Sequence, residues 1–415
     1  MSAQGAQCEG WPCACLIAAP VFRTFPVMSA GKQNLLGLNT QELAAFAETL
    51  GQRRFRGRQV FAWLYAKGAT TFSSMTDLGK DFRAQLEGAA RIEGIAGVEK
   101  KRSARDGTTK FLFSLADGLT VETVLIPPAS AFQNAQAARE DEQRRLTLCV
   151  STQVGCPLDC AFCATGRMGF LRNLSAGEIV DQVRRVLRLD TRKVTNIVFM
   201  GMGEPLLNYD AVMQASEIFT RGMAIASRRI TVSTSGWVDG IRRMGEEKRR
   251  EKLALSLHSA IDETRSRLMP VNRRSGLSAL VSALEFYYRR TRQRVTFEHI
   301  FLDGINDSER EVLALIRLAR RIPCKINVIP LHSTDFMGKA ARAPEVRPSS
   351  RTEEIVQRLR AEHLTVLVRT SAGEEIEAAC GQLATVPERR RSPLGGSHVM
   401  RPNTTVQHPQ GSRAL

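Results

Sequence analysis

Residues 156–170 read CPLDCAFCATGRMGF and place three of the chain's nine cysteines in one short loop. Cys156, Cys160 and Cys163 follow a predicted β-strand and precede a predicted helix, which is where α/β barrels form their active face. Structural zinc sites usually bind four ligands, commonly in paired C-x₂-C spacings. A C-x₃-C-x₂-C spacing instead leaves one iron of a [4Fe–4S] cluster open to a small ligand. The loop therefore favours an iron–sulfur site, with a zinc knuckle or surface cysteines as alternatives.

Outward from this loop, short apolar runs alternate with amphipathic segments. This alternation predicts parallel βα units in a barrel or an open sheet. Ser175 followed by Glu178 is a capping box, which predicts the start of the first helix. Further helices are predicted near 209–220, 238–248, 276–291, 307–321 and 351–362. The predicted strands are 146–152, 195–201, 229–235, 252–258, 294–302, 324–330 and 364–369.

The region before the barrel predicts a small helical module followed by short strands. Asn39 can cap a first helix, and further helices are predicted near 57–67 and 79–89. The sequence ADG at 116–118 indicates a hairpin turn. We divide the chain into a poorly ordered extension (1–34), a helical accessory domain (35–92), a β extension (93–128), a polar loop (129–145), a barrel (146–385) and a disordered basic tail (386–415).

The net charge of +17 indicates a polyanionic partner, most naturally a nucleic acid. The tail contributes only +4 and the first 34 residues +1, so most of the charge lies on the body. Basic clusters recur there as RRFRGR, KKRSAR, KRREK and RRTRQR, and each taken alone could be no more than a solvated face.

The cysteines and the hydropathy of the chain indicate its cellular compartment and whether it spans a membrane. Nine unevenly spaced cysteines do not form the framework of a small secreted domain, so a reducing, cytoplasmic location fits better. No apolar run reaches the roughly 18 residues that a membrane span needs, and we expect none.

A second motif, FMGMGEPLLN at 199–208, follows the second predicted strand of the barrel. Glycines allow close backbone approach, and a carboxylate suits an ammonium group. Together with the cysteine loop, this stretch resembles the radical S-adenosylmethionine superfamily. That resemblance implies that Cys156, Cys160 and Cys163 bind a [4Fe–4S] cluster, while Gly203 and Glu204 hold the amino group of S-adenosylmethionine.

Longer matching stretches narrow the resemblance. Residues 145–174, the GMGEP motif, ITVSTSG, ALSLH, CKINVIP and EEIEAACGQL together resemble the dual-specificity RNA adenine-C2 methyltransferases, the RlmN family. The resemblance covers about residues 35–385. It implies a partial (β/α)₆ radical-SAM barrel with an N-terminal helical RNA-binding domain and a small β extension. The implied substrates are one adenosine of 23S rRNA and the adenosine 3′ to the anticodon in some tRNAs.

The family resemblance gives three further residues catalytic roles. Cys380 corresponds to the S-methylcysteine intermediate, and two molecules of S-adenosylmethionine are used per turnover. The first methylates Cys380, and the second yields a radical that activates this methyl group for addition to adenine C2. Cys149 corresponds to the cysteine that resolves the protein–RNA adduct by a disulfide with Cys380. Glu122 matches the proton acceptor, although whether it or Cys149 removes the C2 proton stays open.

The family also implies cofactor contacts and partners. A flavodoxin-like electron donor is expected, and we expect a monomer that binds 23S rRNA and tRNA. Further residues align with S-adenosylmethionine contacts: Ser235, Ser256, Leu257, His258 and Asn327.

Three alternatives remain at this point. A Cfr-type enzyme, which methylates C8 of the rRNA adenosine, shares the cluster and both cysteines. A non-catalytic metal-binding, RNA-binding protein would need neither Cys380 nor the GMGEP motif. A radical enzyme acting on a small molecule fits poorly with the basic body. The 337–350 segment matches no family motif.

Overall fold

The computed structural model describes residues 31–128, 146–190, 192–334 and 346–385. Predictions for residues 1–30, for the 129–145 loop and for the 386–415 tail lie outside these ranges, as does most of the 337–350 segment. Within the described ranges, no helix is both long and apolar enough to cross a membrane.

The N-terminal module consists of three short helices and a two-stranded pair. Asn39 and Glu42 form a capping box at the start of the first helix. The second helix begins two residues before the predicted 57–67 segment and continues into a π-helical turn, Ala62–Ala66. Strand β1 lies inside the segment that we predicted to be poorly ordered, so the module includes it. The elements are β1 (Gln33–Asn34), α1 (Thr40–Thr49), α2 (Phe55–Phe61), α3 (Lys80–Ala89) and β2 (Ala90–Arg91).

The β extension is an antiparallel meander of β3 (Gly97–Arg102), β4 (Thr109–Ser114) and β5 (Thr120–Ile126). The hairpin turn predicted at 116–118 connects β4 and β5. Strand β4 alternates buried and half-buried residues, as expected of a strand with one face on the core. Strand β5 pairs antiparallel with the first barrel strand, so the extension and the barrel share one sheet.

The barrel contains six strand–helix units followed by a last strand, all parallel. The ten-stranded sheet runs in the order β14-β13-β12-β11-β10-β9-β6-β5-β4-β3, with a β7–β8 hairpin beside it. The strands are β6 (Thr147–Cys149), β7 (Gln153–Gly155), β8 (Phe170–Asn173), β9 (Asn196–Phe199), β10 (Ile230–Thr234), β11 (Lys252–Ser256), β12 (Val295–His299), β13 (Cys324–Val328) and β14 (Val366–Val368).

Helices cover the outer face of this sheet. Ser175 and Glu178 form the predicted capping box, and the helix that follows buries Ile179 and Val183. Burying one such side chain stabilises the fold by about 1.5–3 kcal/mol. The helices are α4 (Ala164–Arg167), α5 (Ala176–Leu189), α6 (Tyr209–Gly222), α7 (Val238–Glu246), α8 (Asp262–Leu268), α9 (Leu277–Thr291), α10 (Glu309–Arg321) and α11 (Thr352–Ala361).

Candidate active site

A cavity of about 900 Å³, counted with its open mouth, lies at the carboxyl ends of the barrel strands. Residues just beyond the strands, such as Ser235 after β10 and His258 after β11, line it. The strands are shorter than predicted because these residues leave the sheet to form the cavity wall. The same wall brings together residues that are far apart in sequence: Cys156, Cys160, Cys163, Gly203, Glu204 and Cys380.

The cysteine loop folds back on itself through backbone hydrogen bonds. The N–H of Cys156 donates to the carbonyl of Gly169 at 2.9 Å, and the N–H of Cys163 donates to the carbonyl of Cys160 at 3.1 Å. Cys160 is buried, whereas Cys156 and Cys163 are half-buried. Within the described ranges, no three Cys, His, Asp or Glu side chains converge as ligands of one metal ion.

The three thiols fit an iron–sulfur cluster by their chemistry and their shared wall. Such a cluster binds each thiolate at a different iron, so the three sulfur atoms need to border one volume. Burial raises the pKa of Cys156 to about 12 and that of Cys160 well above its usual value, and neighbouring thiols add to both effects. Three such thiolates would supply three ligands and leave one iron of the cluster open to a small ligand.

Gly155 sets the base of the cysteine loop. Its φ of +75° is left-handed, and a Cβ there would lie 1.8 Å from the carbonyl oxygen of Gly169. That carbonyl is the acceptor for the Cys156 N–H. A side chain at position 155 would therefore move the hydrogen bond that begins the loop.

Gly155→Ala is expected to lower the iron content of the purified protein by at least half, because the loop can no longer present Cys156 correctly. Iron and sulfide analysis with the cluster's visible absorbance measures this. Gly118→Ala is the matched control, since Gly118 also has a positive φ of +81° but a Cβ there meets nothing within 4 Å. Equal iron contents in the two variants would contradict the prediction.

Glu204 is held by backbone donors. Its carboxylate accepts from the N–H of Ser235 at 2.7 Å and from the N–H of Leu206 at 3.1 Å. Burial raises the pKa of Glu204, and these hydrogen bonds oppose that effect. At Gly203, with φ +100°, a Cβ would lie 2.6 Å from the Cβ of Gln153. Gly203 therefore packs against Gln153 without room for a side chain, and the motif holds a fixed carboxylate on the cavity wall.

Arg265 was not singled out from the sequence, yet it holds two cavity strands together. This fully buried guanidinium donates to the carbonyls of Ser235 at 2.6 Å and Ser256 at 3.2 Å. It also donates to Asn272 Oδ1 at 2.7 Å. Burial lowers its pKa to about 10, so it remains a cation at neutral pH. No sequence pattern distinguishes Arg265 from an exposed helical arginine, because its burial depends on the fold.

Arg265→Met is expected to lower the free energy of unfolding by about 3 kcal/mol, because it leaves buried carbonyl acceptors unpaired. Urea titration of the purified protein measures this change. Arg267→Met, on the exposed side of the same helix α8, is the control and should change stability little. Similar losses in both variants would show that the hydrogen bonds of Arg265 contribute no special stability.

Only some of the predicted S-adenosylmethionine contacts line the cavity. Ser235, Ser256 and His258 line the cavity. His258 has a left-handed φ of +54°, and its Nδ1 accepts from the N–H of Ile300 at 3.1 Å. Burial lowers its pKa well below the usual value, so the ring is neutral. The side chain of Leu257 is fully buried in the core instead. Asn327 pairs with Glu298 across β12 and β13, and its side chain donates to the carboxylate of Glu298, which lines the cavity, at 3.1–3.2 Å.

The two predicted catalytic cysteines lie close enough to interact electrostatically. Cys380 lines the cavity, and Cys149 ends β6, where it is buried. Burial raises the pKa of Cys149 to about 12, and the charge of Cys380 adds to this shift. Both are free thiols.

Residues 371–385, which we call the Cys380 strap, cross from the end of the barrel to the β extension. On the barrel side, the carbonyl of Gly381 accepts from the N–H of Ala164 at 2.7 Å, directly after Cys163. On the other side, the N–H of Gly373 donates to Asp106 Oδ2 at 2.6 Å, and Ser103 binds Glu375.

Glu122 does not line the cavity in this conformation. Its carboxylate is buried, forms a 3.0 Å ion pair with Lys110 and accepts from the N–H of Ala384 at 3.0 Å. Burial raises its pKa, whereas Lys110 and the Ala384 N–H lower it. Glu122 therefore contacts the Cys380 strap directly.

Two cavity residues were missed by sequence reasoning. Arg369, directly after β14, is the one Lys or Arg among the residues that line the cavity within the described ranges. Its guanidinium lies 3.9 Å from the carboxylate of Glu298, and its charge interacts most strongly with Cys380. Glu298, near the end of β12, is the second cavity residue that was missed. The sequence signal for both residues is a charged side chain at the carboxyl end of a barrel strand.

Two family models match the chain. The model described as the ribosomal RNA large subunit methyltransferase N-terminal domain matches residues 33–92, and the radical SAM superfamily model matches residues 150–316.

Curated relatives and a solved structure match over most of the chain. A protein named "Dual-specificity RNA methyltransferase RlmN" from Syntrophobacter fumaroxidans is 45% identical over 82% of this chain and 95% of its own length. A protein from Heliobacterium modesticaldum named "Probable dual-specificity RNA methyltransferase RlmN" is 44% identical over 84% of this chain and 89% of its own length. A crystal structure of a radical SAM methyltransferase from Sphaerobacter thermophilus is 42% identical, covers 85% of this chain and 99% of that one, and has a TM-score of 0.74.

Proposed function

Since this chain belongs to the RlmN family of dual-specificity RNA methyltransferases, we propose that it methylates C2 of an adenosine in 23S rRNA and of the adenosine 3′ to the anticodon in some tRNAs. The observation that supports this most directly is the position of Cys380. Its strap is hydrogen-bonded to the residue that follows Cys163, so the methyl-carrying thiol and the cysteine loop share one cavity wall.

Adenine C2 is an electron-poor carbon that does not attack a sulfonium methyl group. A [4Fe–4S] cluster with S-adenosylmethionine supplies both a methyl donor and the radical chemistry that such a carbon requires. Cys156, Cys160 and Cys163 would hold the cluster, while Glu204 and the backbone at Gly203 would bind the amino group of S-adenosylmethionine. Ser235, Ser256 and His258 border the same volume. The aligned Asn327 binds Glu298, which lines the cavity, and the aligned Leu257 is buried in the core.

Cys380 acts as the methyl carrier. Its thiolate forms a bond to the methyl carbon of a sulfonium, which leaves as a neutral thioether. Once the carbon is also bonded to adenine C2, the thiol of Cys149 gives up its proton and attacks the sulfur of Cys380. The Cys149–Cys380 disulfide forms, the bond from Cys380 sulfur to carbon breaks, and the carbon takes a proton to become a methyl group.

Glu122 accepts the C2 proton in this proposal. Burial raises its pKa, which makes it a better proton acceptor than an ordinary carboxylate. Because both carboxylate oxygens are engaged by Lys110 and the Ala384 N–H, the side chain has to leave these partners before it can reach an adenine in the cavity.

The charge of the chain suits an RNA substrate. The net charge is +17, and the exposed Arg53, Arg54 and Arg58 lie at the start of α2 in the helical module. Lys67 lies 3.6 Å above the ring of Trp63 on the same module. We propose this module, residues 35–92, as an RNA-binding accessory domain beside the β extension (93–128) and the barrel (146–385).

The remaining partners follow from the chemistry. Reductive cleavage of a sulfonium needs one electron, for which we propose a flavodoxin-like donor. Free cysteines at the site suit a reducing, cytoplasmic location. We propose that the enzyme works as a monomer.

Nucleoside mass spectrometry of 23S rRNA and tRNA tests the proposal. The RNA comes from a host that lacks its own C2 methyltransferase and is complemented with this chain. We expect 2-methyladenosine to appear in the complemented strain. 8-Methyladenosine in its place would assign the chain to C8 chemistry, and the absence of both from a strain with soluble, cluster-containing protein would overturn the proposed substrate.

A further inference from the structure

Lys110 contacts both Glu122, the predicted proton acceptor, and the strap that carries Cys380, the predicted methyl carrier. Lys110 on β4 and Glu122 on β5 are diagonal neighbours on one face of the antiparallel pair, since Glu122 lies opposite Leu112. The Lys110 ammonium lies 3.0 Å from Glu122 Oε1 and donates to the carbonyl of Glu377 at 3.2 Å. Its side chain is only 12% exposed, and that of Glu122 is 6% exposed.

Lys110 and Glu122 together contact both flanks of Cys380. Glu377 lies three residues before Cys380, and the Glu377 carboxylate is 3.9 Å from the same ammonium. Ala384 lies four residues after Cys380, and its N–H donates to the second oxygen of Glu122. An ammonium has three donors, so one Lys can bind a carboxylate and a carbonyl at once.

The contact also explains why Glu122 lies outside the cavity. One carboxylate oxygen faces Lys110 and the other accepts from the strap. A carboxylate held in this way has to break its contacts with Lys110 and with the strap before it can approach an adenine. The same contacts hold the strap that carries Cys380.

We propose that Lys110 is a positioning residue that clamps Glu122 to the Cys380 strap, so that the proton acceptor and the methyl carrier are held, and released, as one unit. The roles of Glu122 and Cys380 rest on the proposed function, whereas the clamp itself rests on the contacts above. Lys110 touches neither cofactor nor substrate and acts through its two partners.

Hydrogen–deuterium exchange of the cluster-containing protein tests the clamp without reference to RNA methylation. In Lys110→Met, peptides covering residues 371–385 should exchange at least tenfold faster than in wild type. Lys101→Met is the matched control, because Lys101 pairs directly with Lys110 across β3 and β4 and is exposed. Lys110→Arg, which keeps a cation and several donors, should restore slow exchange. Glu377→Gln should stay close to wild type, because its backbone carbonyl remains as the closer acceptor.

Activity measurements add a second readout. Lys110→Met should lower kcat for RNA methylation at least tenfold with KM changed by less than about twofold, and Lys110→Arg should recover most of kcat. If the wild-type protein methylates no RNA, the proposed function is wrong. The hydrogen–deuterium exchange data still test whether Lys110 holds Glu122 to the strap.

Equal exchange of the strap in Lys110→Met and Lys101→Met overturns the proposal. If Lys110→Met also loosens the β11–β13 peptides, the variant has lost its fold, because an unpaired carboxylate is buried. The double variant Lys110→Met/Glu122→Gln then decides, since it buries no unpaired charge. Fast strap exchange in a folded double variant supports the clamp, and wild-type exchange contradicts it.

Discussion

Cys380→Ala is expected to abolish 2-methyladenosine in both rRNA and tRNA while leaving the protein folded and its cluster in place. Cys380 is half-buried on the cavity wall and forms no structural bond through its sulfur in the described structure. Alanine fits the same backbone and removes only the thiol. Without that thiol, the methyl group has no carrier, because adenine C2 cannot take it directly from a sulfonium.

The measurement is nucleoside mass spectrometry from the complemented host, with iron analysis of the purified variant. Cys324→Ala is the matched control. Cys324 is a buried thiol at the start of β13 whose weak contact is to the carbonyl of Ala319 at 3.6 Å, so its loss should leave methylation intact. Persistent 2-methyladenosine with Cys380→Ala would show that the methyl group takes another route.

Cys149→Ala is expected to accumulate a covalent enzyme–RNA adduct in place of product. Cys149 is fully surrounded at the end of β6, and its thiol interacts with the charge of Cys380. In the adduct, the methylene carbon is bonded to the sulfur of Cys380 and to adenine C2. Without Cys149, no second sulfur is present to break the bond to Cys380. Each enzyme molecule therefore remains covalently bound to one RNA molecule and does not turn over.

Denaturing gel electrophoresis detects this adduct as a band that nuclease treatment shifts down, and peptide mass spectrometry should find the modification on the Cys380 peptide. The double variant Cys149→Ala/Cys380→Ala should give no adduct. Free turnover by Cys149→Ala would mean that another group resolves the adduct and that Cys149 is a packing residue.

The sequence predicted the barrel well because its strands and helices have strong local patterns. Ser175 and Glu178 form the expected capping box, and the three cysteines border one cavity as their spacing indicated. The GMGEP motif placed Glu204 on the same wall, because residues that follow neighbouring parallel strands meet at one edge of a sheet.

The contacts that the sequence could not predict join segments far apart along the chain. Nothing near Lys110 or Glu122 indicates that both bind a strap more than 250 residues away, since no local pattern encodes such a pairing. Arg265 looks like any helical arginine until the fold buries it under Ser235 and Ser256. The hydrogen bond from Asn327 to Glu298, which lines the cavity, could not be predicted either, because it joins two different strands.

The Cys380 strap has a consequence for biosynthesis. Its anchors to Ser103, Lys110 and Glu122 span 272, 267 and 262 residues. Chains are made from the N-terminus, and contacts this distant form late in folding. A nascent chain that has emerged only through β14 already contains the cysteine loop and the barrel strands but lacks Cys380. The cavity is therefore completed only when Cys380, the proposed methyl carrier, has emerged, and we expect a chain that ends before it to modify no RNA.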